Sequence, residues 1–372
     1  MRDKHQAKRS LRRHRSQIGV SAEAYRNMRL RAFSQAAAGR KAVYLDVNYW
    51  IDLQLAAEGR ARRPEFDALL PVLRGAVAAK ALFCPPTLGL FMEVGKQRDA
   101  ESRLKTALLI DELSDGIGLA ADDDIVGFEV ANMLDAVLGK RTIEAPRDLI
   151  WTPLGCMSAD LIPPPAPYMP TRQEQQRFEK GYFDTLMAAT AADLLSIDGP
   201  DHRQKWVQLA RDMTKGSAAH AHEFKTFQEL LHSELWGAVE GSARMIQTGG
   251  RALFDQFVPA AHLPSAEGWA RIIFLTLRAD ERARRAVPSL YVRAGLHALV
   301  RWNATQKFKP NDVYDFGHAA AALGYCDLFL TEGPLRDLLG RGPLNLAEAS
   351  DCAVISDPAK ALAAVSALVY GA

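Results

Sequence analysis

The sequence predicts an α/β protein in which helices cover both faces of a parallel sheet in three layers, with a mostly α-helical insertion inside that domain. Three observations carry this prediction. Short apolar runs alternate with helix-spaced segments over residues 41–139, a Pro-rich connection and a long helical stretch interrupt the alternation, and it returns from about residue 289 to the C-terminus.

Taken in order, residues 41–46 (KAVYLD) form an apolar run ending at an acid, as in a buried strand, and residues 48–57 place apolar side chains at helical spacing. A second helix over 64–79 begins with the Pro that a first helical turn tolerates. Residues 81–84 read as a strand broken by Pro85 and Pro86, after which Thr87 caps a helix reaching about Arg98. Residues 118–120 read as the third strand. Asp122, Asp123 and Asp124 then open a helix to Leu138, where acids suit the positive helix terminus. Pro146, Pro153 and a Pro cluster over 163–170 make an irregular connection, and residues 171–286 are almost wholly helical, with Phe178, Tyr182 and Leu186 among the packing positions. Asn311 caps a helix to Leu323, residues 328–331 form a strand, 334–339 a short helix, 352–356 a strand and 358–368 the closing helix. The chain thus divides into a basic extension (1–40), the first part of the sheet domain (41–139), the insertion (140–288) and the second part (289–372).

With 48% hydrophobic and 24% charged residues among 372, the composition is that of a globular protein with room for about two domains. Charged residues interrupt every apolar run before the roughly 18 residues needed to span a bilayer, and the basic N-terminus lacks the apolar core of an export signal. Four cysteines, at 84, 156, 326 and 352, form no CxxC pair and read as small buried hydrophobes. A cytoplasmic protein with no membrane partner is expected. The formal charge of +2 hides an asymmetry: residues 1–41 hold 12 Lys and Arg against two acids, leaving the rest of the chain at −8. Such an arm suits a polyanion such as RNA, or it docks on the acidic body of its own chain.

Open parallel sheets bind ligands beyond the carboxyl ends of their strands. Asp46 ends the first strand in VYLDVNYW, Glu93 lies on the helix after the second strand, Asp312 and Asp315 share a helix face at i and i+3, and Glu332 follows a strand in FLTEG. Carboxylates converging in one cleft repel one another unless a cation neutralises them, and hard ions such as Mg²⁺ or Mn²⁺ prefer oxygen ligands.

In these pieces, VYLDVNYWIDL, CPPTLGLFMEV, IGLAADDDIVGFEVANML and NDVYDFGHAAAALGYCDLFLTEG, the sequence resembles the PIN domain family of metal-dependent nucleases over residues 41–139 and 288–372. The resemblance implies that Asp46, Glu93 and Asp315 hold Mg²⁺ or Mn²⁺, with Glu332 where the family has Asp. It also implies metal-assisted hydrolysis of RNA and room for an inhibitory protein partner. Asp327 is the rival fourth acid, but it begins its strand while Asp46 ends one, which puts the two on opposite rims of a parallel sheet. Asn48 either orients a metal-bound water or caps the next helix. Asp312 serves the site or only the helix dipole, Thr331 touches a metal ligand or packs as a β-former, and His318, one turn after Asp315, reads as a satisfied buried histidine.

Other chemistries fit less well. A haloacid-dehalogenase-type phosphatase needs a second Asp where Asn48 stands, and GLFMEVGKQ has five residues between its glycines where a phosphate loop needs four. His220 and His222 diverge on a helix and make no metal pair with His232. The non-enzymatic alternative is a PIN-like scaffold that binds RNA or a protein without cutting.

Overall fold

The computed structural model describes residues 13–14, 19–139, 145–157, 163, 171–196, 203–254, 258–303 and 305–371. In chain order the first part supplies α1 (Ala22–Ala38), β1 (Lys41–Leu45), α2 (Val47–Ala57), α3 (Pro64–Ala78), β2 (Leu82–Phe83), α4 (Leu88–Val94), α5 (Ala100–Ser114), β3 (Ile117–Leu119) and α6 (Asp122–Val137). After β4 (Trp151–Pro153) comes a helical stretch of α7 (Arg172–Leu186), α8 (Ala191–Leu195), α9 (Arg203–Ala219), α10 (Phe227–Gly241), α11 (Ala243–Phe254), α12 (Ala266–Ala279) and α13 (Glu281–Ala286). The last part holds α14 (Pro288–Trp302), α15 (Asp312–Tyr325), β5 (Leu328–Leu330), α16 (Gly333–Leu339), β6 (Ala353–Ile355) and α17 (Pro358–Tyr370). The protein is mixed α/β and mostly helical.

Four strands form one parallel sheet in the order β2-β1-β5-β6, with Val43 opposite Leu328 and Leu45 opposite Leu330. Alternate side chains of β1 enter two different cores. Ala42 and Tyr44 pack with Phe83, Phe316 and Phe329, while Val43 and Leu45 pack with Trp50, Leu53, Leu82 and Leu328. A strand buried on both faces needs a continuous apolar run, which is how KAVYL reads.

The expected third strand does not join this sheet. β3 pairs antiparallel with β4 in a separate two-stranded sheet, Gly118 facing Thr152. The reason lies in β2: Pro85 and Pro86 have no N–H, so β2 cannot extend a ladder past Cys84. What remains between them is one backbone hydrogen bond, from Leu119 N–H to Pro86 O at 3.1 Å. β3 instead finds its donors and acceptors on β4, within the stretch expected to be irregular.

Two further elements lie outside the sequence-based expectation. α5 follows the helix that had been expected to run to Arg98; α4 stops at Val94, and Asp99 caps α5 by accepting from Ser102 N–H at 2.9 Å. Residues 22–38 of the basic extension fold as α1, capped by Ser21. Ser34 Oγ accepts from Trp151 N–H of β4, Tyr25 OH donates to Asp184 Oδ1 of α7, and Arg40 pairs with Asp115 at 2.8 Å. The cations at positions 2–12 and Arg15 lie outside the described residues, as does most of the Pro cluster at 163–170.

Helices of the insertion pack directly on the first part. α11 crosses α6 so closely that a Cβ on Gly249 would stand 2.4 Å from Gly127 O, a contact that only glycine permits. α6 is pinned to the last part by Glu129, which is fully buried. It accepts from Ser289 N–H at 3.1 Å, from Ser289 Oγ–H at 2.8 Å and from Tyr325 OH. Burial pushes this carboxyl up to about 7 even though those donors favour its charged form. All four cysteines are buried thiols, and no helix among the described residues is long and apolar enough to cross a membrane.

Leu45 is fully buried at the centre of the parallel sheet. Leu45→Ala should lower unfolding free energy by about 2–5 kcal/mol in urea denaturation, through lost burial and the cavity left behind. A loss under 1 kcal/mol would mean that β1 is not the centre of the core.

Candidate functional site

The sheet brings its carboxyl ends and the starts of several helices to one edge, and the charges of Asp46 and Glu93 are felt there at Asp315 and Glu332. Asp46 follows β1 and is the N-cap of α2: its Oδ1 accepts from Val47 N–H at 2.6 Å. Its Oδ2 accepts from Thr331 Oγ1–H at 2.8 Å, and the side chain is 3% exposed. Thr331 sits there because β1 and β5 are paired in register, with Asp46 N–H donating to Leu330 O at 2.9 Å. Of the two roles open to Thr331, the structure places it against Asp46. Asn48 is not the cap of α2, since Asp46 holds that position; it is half-buried in the first turn.

Glu93 lies on α4, buried to 8% exposure, and its Oε2 is bonded to His318 Nε2 at 2.8 Å. His318 is 1% exposed on α15, and its Nδ1 lies 2.6 Å from Tyr44 OH. Tyr44 OH is in turn 2.9 Å from Thr87 Oγ1, which also accepts from Leu90 N–H to cap α4. A buried chain Thr87–Tyr44–His318–Glu93 thus links the central strand to the acidic edge. Burial acts to lower the His318 pKa, but the hydrogen bond its ring donates to Glu93 and the charges of Glu93, Asp46 and Asp315 outweigh it, and the net shift is upward. The histidine was read from the sequence as a satisfied buried group; the structure makes it the partner that orients Glu93.

Asp315 lies in the first turn of α15. Burial first, then the charges of Asp46, Glu93 and Asp312, push its carboxyl up to about 7, against the opposing pull of His318. Glu332 ends the connection after β5 and is exposed. Desolvation at the rim and the charges of Asp46 and Glu93 raise its pKa, while Lys309 lowers it. These carboxylates therefore share one electrostatic field, although they come from positions 46, 93, 315 and 332.

The remaining candidates fall elsewhere. Asp327 begins β5 on the opposite rim, where its Oδ2 accepts from Ala42 N–H at 2.9 Å and its Oδ1 from Lys41 Nζ at 3.0 Å. It staples the amino ends of β1 and β5. Asp312 opens α15 and accepts from Lys309 N–H at 2.8 Å, while the expected cap, Asn311, makes no side-chain capping bond. Asp312 thereby ties the preceding loop to the first turn of α15 without capping it, and burial raises its pKa.

The donor set suits a hard divalent ion in chemistry: carboxylate oxygens with a local surplus of negative charge. In spacing it is open. Among the described residues, no group of three or more His, Cys, Asp or Glu side chains is placed to hold a metal ion.

The raised Asp315 pKa has a stability consequence with a definite sign. A carboxyl held at about 7 in the fold, against 3.8 ordinarily, takes up a proton on folding, so its penalty grows as pH rises from about 4 to 7 and is fully present above 7. Asp315→Asn should therefore stabilise the protein at pH 8 by roughly 2 kcal/mol, reduced from the full linkage value because solvent reaches the half-buried group, and by less at pH 5. Thermal melts at the two pH values check this, and an equal gain at both would contradict it.

No family model matches the chain, and no curated protein and no solved structure matches it.

Proposed function

We propose that this chain is a PIN-like, metal-dependent ribonuclease that hydrolyses RNA phosphodiester bonds at the carboxyl edge of its parallel sheet. One observation carries the reading: Asp46 and Glu332 at the ends of β1 and β5, Glu93 on α4 and Asp315 in the first turn of α15 share one electrostatic field, in which the charges of Asp46 and Glu93 raise the pKa values of both Asp315 and Glu332. Acids concentrated at such cost in a structural role would be paired with Arg or Lys, and no ion pair of Asp46, Asp315 or Glu332 with a cation occurs among the described residues. Glu93 has only His318.

In this reading Asp46, Glu93, Asp315 and Glu332 hold Mg²⁺ or Mn²⁺. Once bound, such an ion lowers the pKa of a water and stabilises charge on the attacking and leaving oxygens of a phosphodiester. The protein's own contribution is orientation. Thr331 Oγ1–H and Val47 N–H fix both oxygens of Asp46, and His318 fixes Glu93 through Nε2. Outer partners of this kind set the direction of ligand lone pairs. Asp315 must give up its proton to serve, so the site gains charge, and with it cation affinity, as pH rises through about 7.

The deciding experiment is cleavage of labelled RNA with Mn²⁺ by the intact chain and by Asp46→Asn. The substitution should cost about 100-fold or more in rate. Equal loss of substrate with both proteins, or none with either, removes the nuclease and leaves the non-cutting scaffold. Thr331→Val, which removes the orienting hydroxyl on Asp46, and His318→Ala, which removes the Glu93 partner together with its buried contacts to Tyr44 and Thr87, should each cost about 10- to 100-fold in rate or metal affinity, with the thermal melt of His318→Ala measured beside it to separate lost folding from lost orientation.

A further inference from the structure

Beside the acidic edge lies a second feature of opposite charge. The loop between α14 and α15, the helix α16 and Arg341 beyond it line an open groove of about 430 Å³, whose walls include Lys307, Lys309, Arg341, Thr305, Pro334 and Leu338. No ion pair engages any of the three cations among the described residues, whereas Arg336 on α16 pairs with Asp337 at 2.5 Å. Unpaired cations around a concavity attract an anion that the fold itself does not supply.

The loop is held in shape. Phe308 is buried against Phe316 and His297, and its N–H donates to Thr214 Oγ1 of α9 at 3.2 Å. Burying Phe308 in an extended segment turns its neighbours Lys307 and Lys309 outward, and both are exposed. Lys309 N–H is tied to Asp312 at 2.8 Å, and Pro334 follows Glu332 by two residues, so the groove adjoins the carboxylates. The Lys309 charge is felt at both Asp312 and Glu332.

We infer that this groove binds one nucleotide of the RNA strand beside the scissile linkage, with its phosphate among Lys307, Lys309 and Arg341 and its sugar and base against Pro334 and Leu338. The inference rests on the nuclease reading of the adjoining acids. A polyanion crossing an acidic edge is repelled there, and a cationic pocket next to it supplies the attraction that holds the strand in place. The volume suits a nucleotide-sized ligand, and the mixed apolar and cationic walls match a nucleotide's two surfaces.

The test measures binding, not turnover. The full-length chain carrying Asp46→Asn, with and without Lys307→Ala, Lys309→Ala and Arg341→Ala together, is titrated with a short fluorescent single-stranded RNA at several salt concentrations. The triple variant should bind about tenfold more weakly, and the slope of log affinity against log salt should shrink by about 0.7, the value for the one phosphate contact removed. A control triple on remote exposed cations, Arg244→Ala, Arg271→Ala and Arg278→Ala, should leave the slope nearly unchanged. Lys307→Glu alone, at an exposed loop position, should weaken binding in the same direction without threatening the fold. Unchanged binding in the pocket variants, or an equal loss in the control, overturns the nucleotide site. Manganese-dependent cleavage by the intact chain is scored separately: pocket-dependent binding without cleavage keeps the nucleotide site and removes the nuclease, and cleavage with pocket-independent binding does the reverse.

Discussion

The parallel pairing of β1 with β5 is the constraint on which the rest of the site depends. With Val43 opposite Leu328 and Leu45 opposite Leu330, the residues just past the two strands become neighbours, and Asp46 must meet Thr331. The same pairing sets the opposite rim, where Asp327 holds the amino ends of both strands. One ladder thus places one acid where it binds backbone and Lys41, and another where it faces other acids. Sequence identity alone does not separate these two aspartates; their positions relative to strand direction do.

Gathering carboxylates costs free energy, and the molecule meets this cost unevenly. Asp46 is supplied with a backbone donor and a hydroxyl, and Glu93 with an imidazole whose own pKa is raised by its acidic surroundings. Asp315 has no such donor among the described residues, and burial and the neighbouring charges hold its carboxyl near 7. Glu129 shows the contrasting case. It too is held near 7 by burial, but its partners are Ser289 and Tyr325 and the nearby charge of Arg293 opposes the rise, and so it works as a fastener between α6 and the last part of the chain. Two carboxyls with similar pKa values therefore differ in origin, because Asp315 is perturbed by the charges of other acids as well as by burial, and Glu129 by burial.

The insertion is more than a separate lobe. Thr214 of α9 holds the loop that carries Lys307 and Lys309, and α11 packs against α6 through facing glycines. Packing of this kind couples the helical stretch to the edge where the acids gather. Among the described residues the basic N-terminal segment is likewise part of the body: α1 buries Tyr25 and Ser34 and spends Arg40 on Asp115.

The sequence by itself determined much of the local structure. Apolar runs marked β1, β5 and β6, Pro64 and Thr87 marked helix starts, and the strand-end positions of Asp46 and Glu332 pointed to the edge where these residues lie. Local signals sufficed because strand burial and helix capping depend on neighbours in the chain. The Asp99 cap and the apolar spacing of α5 were equally legible signs that the reading passed over. Only the tertiary structure decided that β3 leaves the main sheet for β4, that Asn311 makes no capping bond while Asp312 reaches back to Lys309 N–H, and that His318 grips Glu93 across 225 residues. Those outcomes depend on which backbone donors and side-chain partners remain available once distant segments pack, and neither periodicity nor composition records that competition.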